Sequence, residues 1–316
     1  MDVPFTTLDV FTSKRLQGNP LAVVQVPASL RDRLTQPLKQ KIAQEFNLSE
    51  TVFLHDETSD SGPKAREIDI FTIEQQLPFA GHPTIGTATF VRQHLAGGEG
   101  VQTLITKAGS IDIAPSPLGI QARIPHNVHL HKRTLHDLLS SPDTADAVKA
   151  GLHPNPEIAK AEREAPVFSI VSGMTFVLVR LPSLELLREV KALRLDFDAV
   201  RGVLLDEGWR DSFVSRYYYV DVENGREEEG VRGLRARMVE LGFEDPATGS
   251  AATALGAYLT LTQEKKGTKF RVTQGVEMGR KSVISVKTTM EKDELAEVYL
   301  GGTAVVVMQG TLRVDV

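Results

Sequence analysis

His82-Pro83-Thr84-Ile85-Gly86-Thr87-Ala88 and Asp245-Pro246-Ala247-Thr248-Gly249-Ser250-Ala251 obey one rule: an ionisable residue, proline, two residues, glycine, a hydroxyl residue, alanine. They read as the same site built twice, and each copy as a helix start. Proline suits the first helical turn, where its missing N–H has no partner to lose, and an aspartate before it caps the free N–H groups. Apolar residues then recur at helical spacing, Ala88, Val91 and Leu95 in the first copy and Ala251, Leu255, Tyr258 and Leu259 in the second. Charge is confined to Arg92, so both helices read as buried. A buried helix start offers free N–H groups and a positive dipole end to a carboxylate or phosphate, and glycine in the first turn lets a ligand approach the backbone. Two such starts meeting across a cleft grip a small acid from both sides. Read singly, either segment is equally an ordinary capped helix that carries a glycine.

A chain of 316 residues buries a substantial core, and its length favours two domains. Its net charge of −5, with no block of lysine or arginine, argues against a nucleic-acid partner. The absence of cysteine removes disulfides, thiolate nucleophiles, Cys-ligated zinc and iron–sulfur clusters, and fits a reducing compartment. The N-terminal MDVPFTTLDVF lacks a basic segment followed by an apolar run, and no 18 apolar residues are consecutive. The expectation is a cytoplasmic protein with no membrane partner.

Strand patterns fill the first third: residues 4–11, 21–26, 51–54, 68–73, 101–106, and 110–114 paired with 119–124 across Pro115-Ser116-Pro117-Leu118-Gly119. Helices interrupt them near 35–46 and after His82. Beyond Ile124 the pattern lapses into a linker and a polar helical stretch, and strands resume at 167–171, 175–180, 216–221, 270–273, 283–287, 298–300 and 304–308. Both halves thus place many strands around one apolar helix, an α+β arrangement with internal pseudo-symmetry. The segment Glu223–Val231, with Glu227, Glu228 and Glu229, reads as a solvated loop.

His126, His129, His131 and His136 crowd the linker, but only Asp137 stands at tight ligand spacing and no His-Glu-x-x-His occurs, so no metal is assigned. Gly97-Gly98-Glu99-Gly100 lacks the Lys-Ser/Thr of a phosphate loop. Glu50 lies where an amphipathic helix with Leu38, Ile42 and Phe46 joins a strand. From spacing alone such a glutamate is more often a solvated strand-end residue than a catalyst.

Five segments change that weighting: Gly18-Asn19-Pro20-Leu21-Ala22-Val23, Asn47-Leu48-Ser49-Glu50-Thr51, Leu77-Pro78-Phe79-Ala80-Gly81-His82-Pro83-Thr84, Glu244-Asp245-Pro246-Ala247-Thr248-Gly249-Ser250-Ala251-Ala252 and Gln274-Gly275-Val276-Glu277-Met278-Gly279-Arg280. In content and order they resemble the PhzF family of phenazine biosynthesis-like proteins, from residue 3 to the C-terminus. The resemblance implies a diaminopimelate-epimerase-like fold: two pseudo-symmetric domains, each a mostly antiparallel sheet wrapped around a central helix, with the active site between them. The expected domains are 1–125, with 311–316 returning to it, and 126–310. The resemblance also implies a homodimer and no cofactor.

The family's catalytic glutamate is Glu50 in this sequence, implied to take a proton from an acidic carbon of an unsaturated, carboxylate-bearing substrate and return it further along the conjugated system. His82, Asp245 and Ser250 match the family's other functional positions. Asn19, Ser49, Gly81, Thr248 and Gly249 are implied as substrate-binding, with the N–H groups near Gly81 and Gly249 on the substrate carboxylate. For this work Glu50 needs partial desolvation. Two departures stand out: Gln76 where the family often has glutamate, and Arg237-Met238-Val239-Glu240-Leu241 where it commonly shows Arg-x-Phe-x-Pro. Two other readings stay open, a two-base epimerase using His82 and Asp245, and a small-molecule-binding protein without chemistry.

Overall fold

The computed structural model describes residues 1–57, 62, 64–193, 195–222, 230–240 and 242–315, and every structural statement below is made of these. Residues 223–229 of the expected acidic loop lie outside them. The chain divides into two units, Met1–Ile124 with Tyr299–Val316, and Pro125–Val298.

The first unit contains β1 (Asp2–Val10), β2 (Asn19–Val26), α1 (Gln36–Phe46), β3 (Thr51–His55), β4 (Ala65–Phe71), β5 (Gln76–Leu77), α2 (Gly81–His94), β6 (Thr103–Thr106), β7 (Gly109–Ser116) and β8 (Gly119–Arg123). β1 pairs antiparallel with β2, β2 parallel with β3, and β3 antiparallel with β4. β4 takes the short β5 antiparallel and β6 parallel, and β7 and β8 follow antiparallel. α2 packs on β1, β2, β3 and β8, and every residue from Gly81 to Val91 is buried. α1 lies against β3 and β4, with Ile42 and Ala43 in one cluster with Val24, Phe53 and Phe71.

The second unit contains β9 (His129–Leu130), α3 (Leu135–Leu138), α4 (Pro142–Gly151), α5 (Pro156–Glu164), β10 (Val167–Val171), β11 (Met174–Arg180), α6 (Leu184–Glu189), α7 (Phe197–Leu204), β12 (Phe213–Val222), β13 (Val231–Glu240), β14 (Phe243–Asp245), α8 (Gly249–Leu259), β15 (Lys269–Gln274) and β16 (Ser282–Glu291). The stretch expected as a linker is instead structured: β9 pairs with β10, and α3, α4 and α5 bury Leu135, Leu138, Val148 and Ile158 in one cluster with residues of α6 and α7. Arg216 of β12 fastens this helical layer. Its guanidinium and Glu162 of α5 are both fully buried 2.9 Å apart, and Glu162 also accepts from the Tyr218 hydroxyl and the His153 N–H, so both charges are satisfied. α8 packs on β10, β11 and β16.

The chain ends with β17 (Glu294–Gly302) and β18 (Ala304–Arg313). β17 pairs with β8 from Tyr299 onward, and β18 lies antiparallel along the whole of β1. The return to the first unit, expected over 311–316, therefore covers Tyr299–Val316, because a full ten-residue strand flanks β1 rather than a tail. No helix among the described residues is long and apolar enough to cross a membrane.

The strand registers fix which residues of the two units correspond. β10–β11∥β12–β13∥β15–β16 repeats β1–β2∥β3–β4∥β6–β7 pair for pair, and β14 stands to β13 as β5 stands to β4. Ile70 pairs with Val52 and Leu77, as Met238 pairs with Tyr217 and Asp245. From β4 to the end of β6 the offset is a constant 168 residues: Ile70 to Met238, Leu77 to Asp245, Gly81 to Gly249, Ile105 to Thr273.

This register corrects the pairing of the two motifs. Pro246 corresponds to Pro78, not Pro83, and the repeated unit is Pro78-Phe79-Ala80-Gly81-His82 with Pro246-Ala247-Thr248-Gly249-Ser250. Pro83 does sit in the first turn of α2. Pro246 lies outside α8, Asp245 ends β14, and the N-cap is Thr248. Gly86 falls in mid-helix, where a methyl group would meet Leu21 Cδ2 at 2.5 Å and Val10 Cγ2 at 2.7 Å. Close packing of α2 on β1 and β2, not approach of a ligand, accounts for that glycine. Gly86→Ala is expected to destabilise the protein by about 1–3 kcal/mol through overpacking, measured as a lower midpoint in urea at unchanged slope.

Candidate active site

Glu50 is placed by the end of α1. Asn47 closes the helix in the left-handed conformation that asparagine tolerates, at φ 50°, and Leu48 and Ser49 lead to Glu50 just before β3. Gln40 and Gln44 of α1 donate to the carbonyls of Thr72 and Ile73, tying the helix to the β4–β5 turn that leads into α2. The elements carrying Glu50 and His82 are thereby held together. His82, the second residue of α2, is 5% exposed, and its Nδ1 lies 3.5 Å from Glu50 Oε2, whose side chain is 18% exposed. Burial pushes the Glu50 carboxyl up to about 7, against the opposing effect of a hydrogen bond from Ser49. Ala80, the N-cap of α2, has no side-chain hydrogen bond to give.

In the second unit Asp245 closes β14, and its Oδ2 accepts from the Thr248 hydroxyl at 2.5 Å. Gln274, at the end of β15, donates to the Asp245 carbonyl and to Thr248 Oγ1, and accepts from the Thr248 N–H and the Tyr217 hydroxyl. Burial, with the Asp245 charge adding to it, raises the Tyr217 phenol well above its ordinary value. Gly275, with φ +71°, passes so close to Pro246 that a methyl group would stand 2.6 Å from the Pro246 carbonyl oxygen. Ser250 is the second residue of α8, the counterpart of His82.

The two sequence departures, Gln76 and the segment from Arg237, fall in equivalent braces of the two units. Gln76 and Glu244 correspond, and so do the residues that their side chains bond, Asp69 and Arg237. Gln76 Nε2 donates to Asp69 Oδ1 at 2.9 Å, and Asp69 also binds Lys39 Nζ at 2.5 Å and His55 Nε2 at 2.9 Å. Although its burial acts the other way, the His55 and Lys39 bonds hold the Asp69 carboxyl down at about 2. A glutamate at position 76 would face that carboxylate, so an amide fits. Arg237 instead grips Glu244 through two parallel bonds of 2.8 Å and donates to the carbonyls of Leu187, Arg188 and Val190. Both pairs brace the segment entering a central helix, one as a carboxylate with a neutral amide and the other as an ion pair.

Glu50, Ser49, Gly81 and His82 thus share one helix start of the first unit, and Asp245, Thr248, Gly249 and Ser250 that of the second. Asn19 begins β2, opposite Val10, and is 1% exposed. Sequence reasoning passed over Tyr217, and it took Gln274 only as part of a motif. The available signal for Tyr217 was strand alternation in Tyr217-Tyr218-Tyr219, which sends Tyr218 to Glu162 and its neighbours to the other face.

His129, His131 and Asp206 do gather, with potential ligand atoms within 4.8 Å of one another. Yet His131 Nδ1 accepts from the Asp206 N–H at 3.1 Å and its Nε2 meets Ser169 Oγ at 2.9 Å, so both ring nitrogens are engaged. His129 binds Asp206 Oδ2 and stacks on Trp209. Burial, with His129 adding to it, pulls His131 down to about 4. The cluster is a clasp between β9, β10 and the segment after α7.

The chain matches the family model for phenazine biosynthesis-like proteins, PhzC-PhzF, over residues 8–310. It is 35% identical over 312 residues to an uncharacterized isomerase of Mesorhizobium japonicum, spanning 96% of each chain. It is 28% identical to the trans-2,3-dihydro-3-hydroxyanthranilate isomerase of Pseudomonas chlororaphis, spanning 98% of each. Among solved structures, the PhzF-family phenazine biosynthesis protein of Bacillus anthracis superposes with a TM-score of 0.73 at 22% identity, covering 99% of this chain and 100% of that one. The chain belongs to the PhzC-PhzF family of phenazine biosynthesis-like proteins.

Proposed function

We propose that this isomerase moves a proton within a small carboxylate-bearing substrate, with Glu50 as the single acid/base. The observation that carries the reading is a largely buried carboxyl, pushed up to about 7 by burial, beside the buried His82 at the start of α2. Near neutral pH such a group is populated in both forms, so it can accept a proton and give it back. In the first step a C–H bond of the substrate breaks, its electron pair enters the conjugated system, and the proton passes to Glu50. In the second, Glu50 returns the proton to a carbon further along, and the double bond has moved with no change in oxidation state. The full-length relative named trans-2,3-dihydro-3-hydroxyanthranilate isomerase supports this reaction class.

His82 steadies the Glu50 carboxylate. In the first unit the first-turn N–H groups at Gly81 suit a carboxylate; in the second those at Gly249 do, and Asp245 and Ser250 there suit the orienting of substrate heteroatoms. The two-base epimerase reading drew on His82 and Asp245 as matching positions. The strand registers instead match His82 with Ser250 and Asp245 with Leu77, so that argument from symmetry falls away.

The test is to incubate wild type and Glu50→Gln with a metabolite extract, and separately with trans-2,3-dihydro-3-hydroxyanthranilate, in deuterated water, following deuterium uptake and same-mass isomers by mass spectrometry. Wild type is expected to produce a labelled isomer, and Glu50→Gln to lose on the order of 10²–10⁴-fold in rate. A retained rate in Glu50→Gln would remove Glu50 from the chemistry.

The same variant carries a stability signature. A carboxyl raised above its unfolded value binds its proton more tightly when folded, so its contribution is complete below about pH 4.5 and is lost as pH rises through about 7. Glu50→Gln, which removes the desolvated charge, is therefore expected to be more stable than wild type at pH 8, by on the order of 2 kcal/mol. Thermal melts at pH 8 and pH 5 check it, with the difference shrinking at the lower pH.

A further inference from the structure

The network around Asp245 allows the protons of Gln274 and Thr248 to be placed. Gln274 is fully buried. One end of its amide receives the Thr248 N–H at 3.2 Å and the Tyr217 hydroxyl at 2.9 Å, and since a backbone N–H only donates, that end is the oxygen. The other end is then the NH2 group, which donates to the Asp245 carbonyl at 2.8 Å and to Thr248 Oγ1 at 3.0 Å. Having accepted from Gln274, the Thr248 hydroxyl turns its own proton to Asp245 Oδ2 at 2.5 Å. Two donors and two acceptor sites of the amide are all used.

The fold itself does not demand this arrangement. In the first unit the counterpart of Gln274 is Thr106, whose hydroxyl donates to the Gly109 carbonyl, and the counterpart of Asp245 is Leu77. There the approach to the central helix is held by a backbone bond, Ala108 N–H to the Pro78 carbonyl at 3.1 Å. The buried amide accompanies the acid, and the unit without the acid manages without it.

We propose that Gln274 is a positioning residue for Asp245: acting through Thr248, it sends the hydroxyl proton to the carboxylate and holds that carboxylate in one orientation at the start of α8. This rests on the reading of Asp245 as a group that orients substrate. In that setting Thr248 is a link inside the protein, its one hydroxyl proton committed to Asp245.

The experiment observes Asp245 directly. Full-length protein carrying aspartate labelled with 13C at the side-chain carboxyl is prepared as wild type, Gln274→Leu, Thr248→Val and the double variant. The Asp245 resonance is assigned by its loss in Asp245→Asn. Each single variant is expected to move that resonance, and the double variant to move it no further than the larger single effect, because both break one path. Thr248→Ser, which keeps the hydroxyl, is expected to restore the wild-type position. Should Gln274→Leu fail to fold, the isosteric Gln274→Glu serves, since it loses the same two donated bonds.

An unmoved resonance in the Gln274 variant, or fully additive shifts in the double variant, would overturn the proposal. In the deuterium assay Gln274→Leu is expected to cost on the order of 10²-fold in turnover, the scale of a misplaced orienting group. Asp245→Asn at wild-type turnover would defeat the functional reading of Asp245 while leaving the resonance result standing, so the two failures are distinguishable.

Discussion

Everything in the first unit follows from one helix buried on all sides. α2 has no face in water from Gly81 to Val91, and its side chains are for the most part small, apolar or bonded back to its own backbone. Gly86 and Ala88 admit the surrounding strands, and the hydroxyls of Thr84 and Thr89 bond back to the carbonyls of Ala80 and Ile85. A helix enclosed this way also encloses its own start. The chain must therefore bring its N-terminal N–H groups, and whatever side chains stand beside them, into a place from which water is largely excluded. A carboxyl delivered there by the neighbouring strand is desolvated by the architecture, and Glu50 needs no further device to titrate near neutrality.

The duplicated frame keeps its backbone and changes its side chains. Over the 42 positions related by the constant offset, Pro78 with Pro246 and Gly81 with Gly249 are the identities. These two shape the entry to the central helix. The brace one step behind it is preserved in role while its charges change, Asp69 with the neutral Gln76 against Arg237 with Glu244. Burial sets the requirement that each polar group be matched, and leaves open which partner carries which charge.

This explains what was legible in the residues and what was not. Two sheets around two apolar helices could be read from periodicity, because α2 and α8 are the stretches where apolar and small residues run without a polar face. The pairing of the motifs was misread because Pro83 happens to stand five residues after Pro78, at the spacing that imitates Pro246 and Gly249. Only backbone pairing separates a helix-start proline from one that ends a strand. The helices after Ile124 were missed as a layer because their buried side chains, Leu135, Leu138, Val148 and Ile158, are spread over three short segments. The role of Gln274 was beyond reach for a different reason. Its four hydrogen bonds go to three residues, on β12, at the end of β14 and at the start of α8, and no local pattern joins them.

The frame is double, but the proposed base, Glu50, stands in one unit alone, and the registers show what differs at its counterpart. Val52 corresponds to Tyr217 through their equivalent partners Ile70 and Met238, which makes Ser215 the counterpart of Glu50. In the second unit β12 begins at Phe213 and is already paired with β11 there, so Ser215 lies within the sheet and is fully buried. In the first unit β3 begins at Thr51, and Glu50 stands one residue outside it, released by the turn that Asn47 makes at the end of α1. Shortening one strand by three residues frees a position for a carboxyl that its counterpart keeps as packed sheet. Two equivalent bases would suit removal and return of a proton on opposite faces of one carbon. A single carboxyl beside one helix start suits a proton that leaves one carbon and is returned to another by the same group.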